Sequence, residues 1–188
     1  MTCVVLGGSR HIIRLSEEVR ARLDRIIEKR LPVVVGDANG ADKALQEHFS
    51  SKGYRAVEVF CSGPAPRNNV GRWPCRSIAT EAEPGTFSFY AAKDRAMAEQ
   101  ATVGFMLWDG KSAGTMVNVW RLLQQRKTSL VFVQAEKTFI EVRGPGEWKQ
   151  LLSLASAAAL ADIQKKVRLE RTSETNELPF TAELAAVQ

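Results

Sequence analysis

Thr2-Cys3-Val4-Val5-Leu6-Gly7-Gly8-Ser9-Arg10 opens the chain as a short, β-branched apolar run that breaks on two glycines. Such a run predicts a buried strand, and the glycines predict a loop at its carboxyl end. Ser16 then offers an N-cap, with Glu17 and Glu18 in the first turn, where the helix dipole favours acids. Val19, Leu23, Ile26 and Ile27 recur at helical spacing as far as about Arg30. Pro32 stops that helix, and Val33-Val34-Val35 predicts a second strand ending at Gly36-Asp37. The unit is strand, glycine turn, helix, strand.

The unit then repeats. Asn39-Gly40-Ala41-Asp42 predicts a helix start capped by Asn39, with Leu45 and Phe49 on one face and Gly53 at the end. Ala56–Cys61 is a third strand. Residues 64–86 hold prolines, glycines and scattered arginines without a period, which predicts a long loop. A helix from about Tyr90 to Gln100 leads into a fourth strand, Val103–Trp108, and Asp109–Thr115 makes the turn after it. Met116, Val119, Trp120 and Leu123 trace the apolar side of the next helix, Ser129–Val133 is a fifth strand, and Phe139–Val142 is a short addition. Alternating strands and helices demand parallel pairing, because each crossover carries a helix back over the sheet. The expected fold is therefore α/β: a doubly wound, mainly parallel five-stranded sheet over residues 1–143 with helices on both faces. Residues 144–188 follow as a C-terminal extension, helical and alanine-rich from Gly146, then a polar tail around Thr172–Glu177.

Composition narrows the function classes. The 188 residues are 45% hydrophobic and 25% charged, the balance of a globular domain. A formal charge of +5 fits anionic small ligands or weak nucleic-acid contact. Cys3, Cys61 and Cys75 are too few and too scattered for a disulfide framework, and with only His11 and His48 beside them they predict no metal site. Cys3 and Cys61 lie in apolar runs and read as buried thiols. No run approaches the length of a membrane span and no basic, apolar leader precedes the first strand, so the expectation is a cytoplasmic protein without a membrane partner.

In an open parallel sheet, ligands bind in the crevice at the carboxyl ends of the strands. Three small-residue loops fall there: Gly7-Gly8-Ser9-Arg10, Gly36 to Asp42, and Gly110 to Thr115. Each runs from a strand end toward a helix, where free amides and the positive dipole end attract phosphate, and a side chain in place of glycine would hold the anion away. In the third loop Ser112, Gly114 and Thr115 offer hydroxyls and amides, with Lys111 as a counter-charge. Arg10 can reach a phosphate, Asp37 or Asp42 can hold a ribose hydroxyl, and Trp108 can stack on a base. Arg67, Asn68, Asn69, Arg72 and Trp73 form a candidate lid. Ser9, Asn39 and Thr115 are expected to converge.

Three motifs in order then carry a resemblance: Gly36-Asp37-Ala38-Asn39-Gly40-Ala41-Asp42, Lys93-Asp94-Arg95-Ala96-Met97, and Trp108 through Thr115. Over residues 2–133 the chain resembles the SLOG superfamily, close to its YspA-like branch, with the Lonely Guy (LOG) phosphoribohydrolases and DNA-processing protein A as more distant relatives. The resemblance implies a Rossmann-like sheet, a nucleotide or nucleotide-derivative ligand without a further cofactor, and often a homodimer. LOG enzymes carry an arginine in R-K-x-x-M and a glutamate in P-G-G-x-G-T-x-x-E. Aligned on Met97 and on Gly114-Thr115, those positions are Lys93 and Asn118 here. Lys93 keeps the charge without the fork, and Asn118 cannot serve as acid or base.

Three functions follow. The first is a sensor-like nucleotide-binding module. The second is an N-glycosidic hydrolase releasing base from nucleoside monophosphates, with Lys93, Asp94 and Asp109 as its candidate catalytic groups. The third is single-stranded nucleic-acid binding, for which aromatic interleaving with basic residues is sparse.

Overall fold

Side chains alternate across a strand, and here both faces of the sheet are covered. The computed structural model describes residues 2–173. Its strands are β1 (Val4–Gly8), β2 (Val33–Gly36), β3 (Val57–Ser62), β4 (Cys75–Ile78), β5 (Val103–Trp108), β6 (Ser129–Val133) and β7 (Thr138–Val142). On one face Val4, Leu6, Val33, Val35, Val59, Phe105 and Leu107 pack against Val19, Leu23 and Ile26 of α1 (Glu17–Glu28) and Leu45 and Phe49 of α2 (Ala41–Ser51). On the other, Val5, Val34, Phe60, Met106, Trp108, Val131 and Val133 meet Met97 of α3 (Phe87–Gln100) and Met116, Val119, Trp120 and Leu123 of α4 (Ala113–Gln124). Trp148 and Leu151 of α5 (Pro145–Ser153) and Ile163 of α6 (Ala157–Ser173) join that second core. The periodicities that predicted the elements are those that divide the core.

The strand order is β4-β3-β2-β1-β5-β6-β7. All neighbours are parallel except β6 and β7, which pair antiparallel. The chain winds outward from β1 through β2 and β3, then returns over the opposite face by α3 to β5, on the other side of β1. The topological switch point, where loops diverge and leave a crevice, therefore lies between β1 and β5.

Seven strands replace the expected five. β4 lies inside the stretch read as loop; its Cys75-Arg76-Ser77-Ile78 has no apolar face because it is an edge strand with one partner, β3. An ion pair at 3.1 Å between Arg76 and Glu58 of β3 spans that pairing. Phe139–Val142 is the body of β7, the opposite edge. α3 begins at Phe87, earlier than Tyr90, because Thr86 caps it by accepting from the Phe89 amide at 3.2 Å. α2 has Gly40, not Asn39, as N-cap; Asn39 Oδ1 instead accepts from the Asn68 side-chain Nδ2 at 3.0 Å. Cys3 is half-buried, Cys61 buried and Cys75 exposed, all as free thiols. α6 runs over Ala157–Ser173, so most of the polar tail read near Thr172–Glu177, and everything after it, lies outside the described residues.

Candidate functional site

At the switch point the first and third glycine loops are bound to one another. The Ser9 amide donates to the Leu107 carbonyl at 2.9 Å and the Ser9 hydroxyl to Asp109 Oδ2 at 2.7 Å. Asp109 Oδ1 accepts from the amides of Lys111 at 3.0 Å and Ser112 at 2.7 Å, which turns the chain into α4. Burial pushes the Asp109 carboxyl up, but the bonds from Ser9, Ser112, Lys111 and His11 outweigh it and hold the pKa below the carboxylate range. Asp109 is thus the ionised clasp between two loops. The second loop docks on the first: the Ala41 amide donates to the Ser9 carbonyl at 3.1 Å, and Gly40 (φ +81°) lies so close to the Arg10 backbone that a Cβ would collide with it.

Above this junction lies a cleft of about 600 Å³. Gly7, Gly8, Ser9 and Arg10 form one lip, and Lys111, Ser112, Gly114 and Thr115 the other. Ser112 is the N-cap of α4, its Oγ accepting from Thr115 Oγ1 at 3.0 Å and from the Thr115 amide at 3.4 Å. No acid stands in the first turn of α4, and the space beside Gly114 is open. First-turn amides lack intrahelical acceptors and sit at the positive dipole end, so this lip suits an anion.

The floor is a buried ionic cluster. Lys93, 4% exposed, donates to Asp94 Oδ1 at 2.7 Å, and Arg121 reaches Asp94 Oδ2 at 3.8 Å while donating to Asn118. Burial works against the Lys93 charge, but Asp94, Asp42 and Asp37 more than compensate and raise its pKa. Burial likewise opposes the charge of Asp94, and the cations Lys93 and Arg121 overcome it and keep its pKa low. Asp42 fares differently. Burial is its largest influence, attraction to Lys93 only partly offsets it, and repulsion from Asp94 and Asp37 adds to it, so its pKa rises to about 6.

The structure brings most of the sequence-named residues to this cleft, Lys93, Asp94 and Asn118 included. Others support it without facing it. Asp37 is buried beneath Arg67, which donates to it through Nε at 2.9 Å and Nη2 at 2.7 Å. Gly36 sits close against Asp42, and Gly110 adopts the positive φ of the third turn. Trp108 is completely buried in the core, so its ring reaches no ligand. Trp73 is also core rather than lid; its Nε1 donates to the Tyr54 carbonyl at 2.8 Å, and Asn69 clasps its backbone.

Residues that sequence reasoning passed over also face the cleft. His11, exposed, places Nδ1 3.1 Å from Asp109 Oδ2. Phe87 and Tyr90 of α3 and Asp162 and Lys166 of α6 form the far wall. Only the three-dimensional neighbourhood of α6 could have revealed these last two. Among the described residues no group of three or more histidines, cysteines and acids could hold a metal ion, and no helix is long and apolar enough to cross a membrane.

No protein-family model matches the sequence, nor does any curated protein. Solved structures do match. The fold is similar to that of DNA processing protein A. The Helicobacter pylori DNA processing protein A, described for its single-stranded DNA binding mode, aligns with a TM-score of 0.55 at 18% identity, covering 92% of this chain and 81% of that one. The Streptococcus pneumoniae protein aligns with a TM-score of 0.53 at 16% identity, covering 88% of this chain and 61% of that one. At such identities the likeness to DNA processing protein A is one of fold. It agrees with a Rossmann-like, mainly parallel α/β sheet.

Proposed function

We propose that the protein binds a nucleotide, or a nucleotide derivative with a terminal phosphate, as a YspA-like SLOG module. The observation that carries this reading is the pair of cations at the two glycine lips, Arg10 and Lys111. Lys93 is paired with Asp94, Arg67 with Asp37 and Lys166 with Asp162, at 2.7, 2.7 and 2.9 Å. Arg10 and Lys111 line the cleft beside the two glycine lips and form no ion pair among the described residues. Two cations without an ion-pair partner among the described residues, beside the first-turn Ala113 and Gly114 amides of α4, offer counter-charge and donors to a phosphate monoester, which carries about −1.5 to −2 near neutral pH. The cleft volume lies within the usual range for small-molecule sites.

Hydrolysis has less support. A general acid must hold its proton near neutrality; Asp94 and Asp109 are kept ionised by their partners, and Asp42, with its pKa raised to about 6, is engaged by the Ala38 amide at 3.1 Å. Lys93 and Asn118, at the LOG arginine and glutamate positions, are engaged by Asp94 and Arg121. Calorimetry of the full chain against nucleoside monophosphates, ribose 5-phosphate and unphosphorylated nucleosides tests the proposal. Phosphorylated ligands should bind and nucleosides should not; absence of binding by every phosphorylated compound overturns it.

The fold shared with DNA processing protein A favours a second reading, that the same lips grip a phosphate of single-stranded DNA. Anisotropy of a labelled oligonucleotide, competed with mononucleotide, separates the two. Tight strand binding that mononucleotide leaves undisturbed would favour the second.

A further inference from the structure

Opposite the anion lips, three separate elements close the cleft. The first turn of α3 presents Phe87 and Tyr90, three residues apart and so neighbours on the helix surface. Arg67, from the segment between β3 and β4, lies over Tyr90 with its guanidinium carbon 4.6 Å from the ring centroid. Asp37 holds that guanidinium through Nε and Nη2 and also accepts the Arg67 amide at 3.0 Å, so the plane is fixed before any ligand arrives. From α6, Lys166 stands 5.9 Å from the Phe87 centroid and donates to Asp162 at 2.9 Å.

The position of α6 is set from beneath. Glu170, one turn beyond Lys166 and fully buried, accepts from Arg95 at 2.7 and 2.9 Å and from Arg121 at 2.5 Å. The upper side chains stay accessible: Arg67 is 36% exposed, Lys166 29% and Asp162 48%. With Trp108 sealed in the core, this wall holds the Phe and Tyr rings that face the cleft, while the planar His11 and Arg10 stand on the opposite, anion-facing lip.

We infer that this wall is a nucleobase subsite, in which a base stacks on the clamped Arg67–Tyr90 pair and Lys166 and Asp162 of the C-terminal helix read its edge. The inference rests on the nucleotide reading above and deepens it. Bases stack on aromatic rings and on guanidinium planes, and a plane already locked by a carboxylate loses little freedom when one does. Lys166 supplies donors only and ionised Asp162 acceptors only, so together they can meet the mixed donor and acceptor edge of a base. The C-terminal extension thereby becomes a specificity element.

The test is calorimetry of the full chain and of the variants Tyr90→Ala and Lys166→Ala with three ligands: inorganic phosphate, ribose 5-phosphate, and whichever common nucleoside 5′-monophosphate binds tightest. The unsubstituted protein should hold the nucleotide about tenfold more tightly than ribose 5-phosphate. Tyr90→Ala should remove about tenfold of nucleotide affinity and Lys166→Ala severalfold, with the affinities for ribose 5-phosphate and phosphate held within about twofold. Equal affinity of the unsubstituted protein for nucleotide and ribose 5-phosphate overturns the subsite and leaves the phosphate reading standing. An equal loss for all three ligands also overturns the subsite, since it marks a general disturbance. Binding of none of the three overturns both.

Discussion

Asp42 sits where burial, a lysine and two further carboxylates act on one group. Its folded pKa of about 6 lies above the ordinary aspartate value of about 3.9. The native state therefore keeps a proton that the unfolded chain gives up between about pH 4 and 6, and the contribution of Asp42 to stability falls as pH rises through that window. Asp42→Asn removes the effect. Urea denaturation should show the variant gaining on the parent by as much as about 3 kcal/mol between pH 4 and pH 7, and parallel profiles would refute the assignment. At the lip, Lys111 is exposed, and in the proposed reading its ammonium serves the phosphate alone. Lys111→Ala should leave the unfolding midpoint within a degree or so while weakening a phosphorylated ligand about tenfold by calorimetry. Both residues were legible as cleft-facing because they stand in glycine turns after strands. Their opposite characters were not, since the raised pKa of Asp42 depends on Lys93 and Asp94 arriving from a distant part of the chain.

Among the elements, α6 is tied down by charge as well as by apolar contact. Glu170 meets two arginines from α3 and α4, and although burial opposes its charge, Arg121 and Arg95 hold its pKa below the glutamate range. A lowered acid pKa contributes stability above the unfolded value and loses it as pH falls through the folded one, so the seat of α6 should fail only in acid, below about pH 4. Glu170→Gln deprives the buried Arg121 guanidinium of its closest carboxylate, a loss of about 3 kcal/mol, with Asp94 still 3.8 Å away. Hydrogen exchange followed by mass spectrometry should show α6 opening first, with α1 and α2 protected; unchanged protection of α6 would remove the ionic seat. β4 shows why elements escape a sequence reading. An edge strand with one partner and no apolar face carries no period, and its existence depends on β3 lying alongside.

Across the whole molecule, the formal charge of +5 is a weak guide to partners, because pairing neutralises most of the cations that line the cleft. With two cations uncompensated there, a single strand held in the cleft would release few counterions. Its log affinity should fall with log salt at a slope of about −1.4, and a slope of −4 or steeper would place the strand on a broader surface. The sequence by itself determined the alternation of strands and helices, the two-sided core and the glycine turns at strand ends, because periodicity and turn chemistry are local properties. Strand order, the edge strand β4, the burial of Trp108, the clasp of Asp109 on Ser9 and the entry of α6 into the cleft were decided by tertiary structure alone. These are contacts between residues far apart in the chain, and no local pattern records which distant surface a side chain will meet.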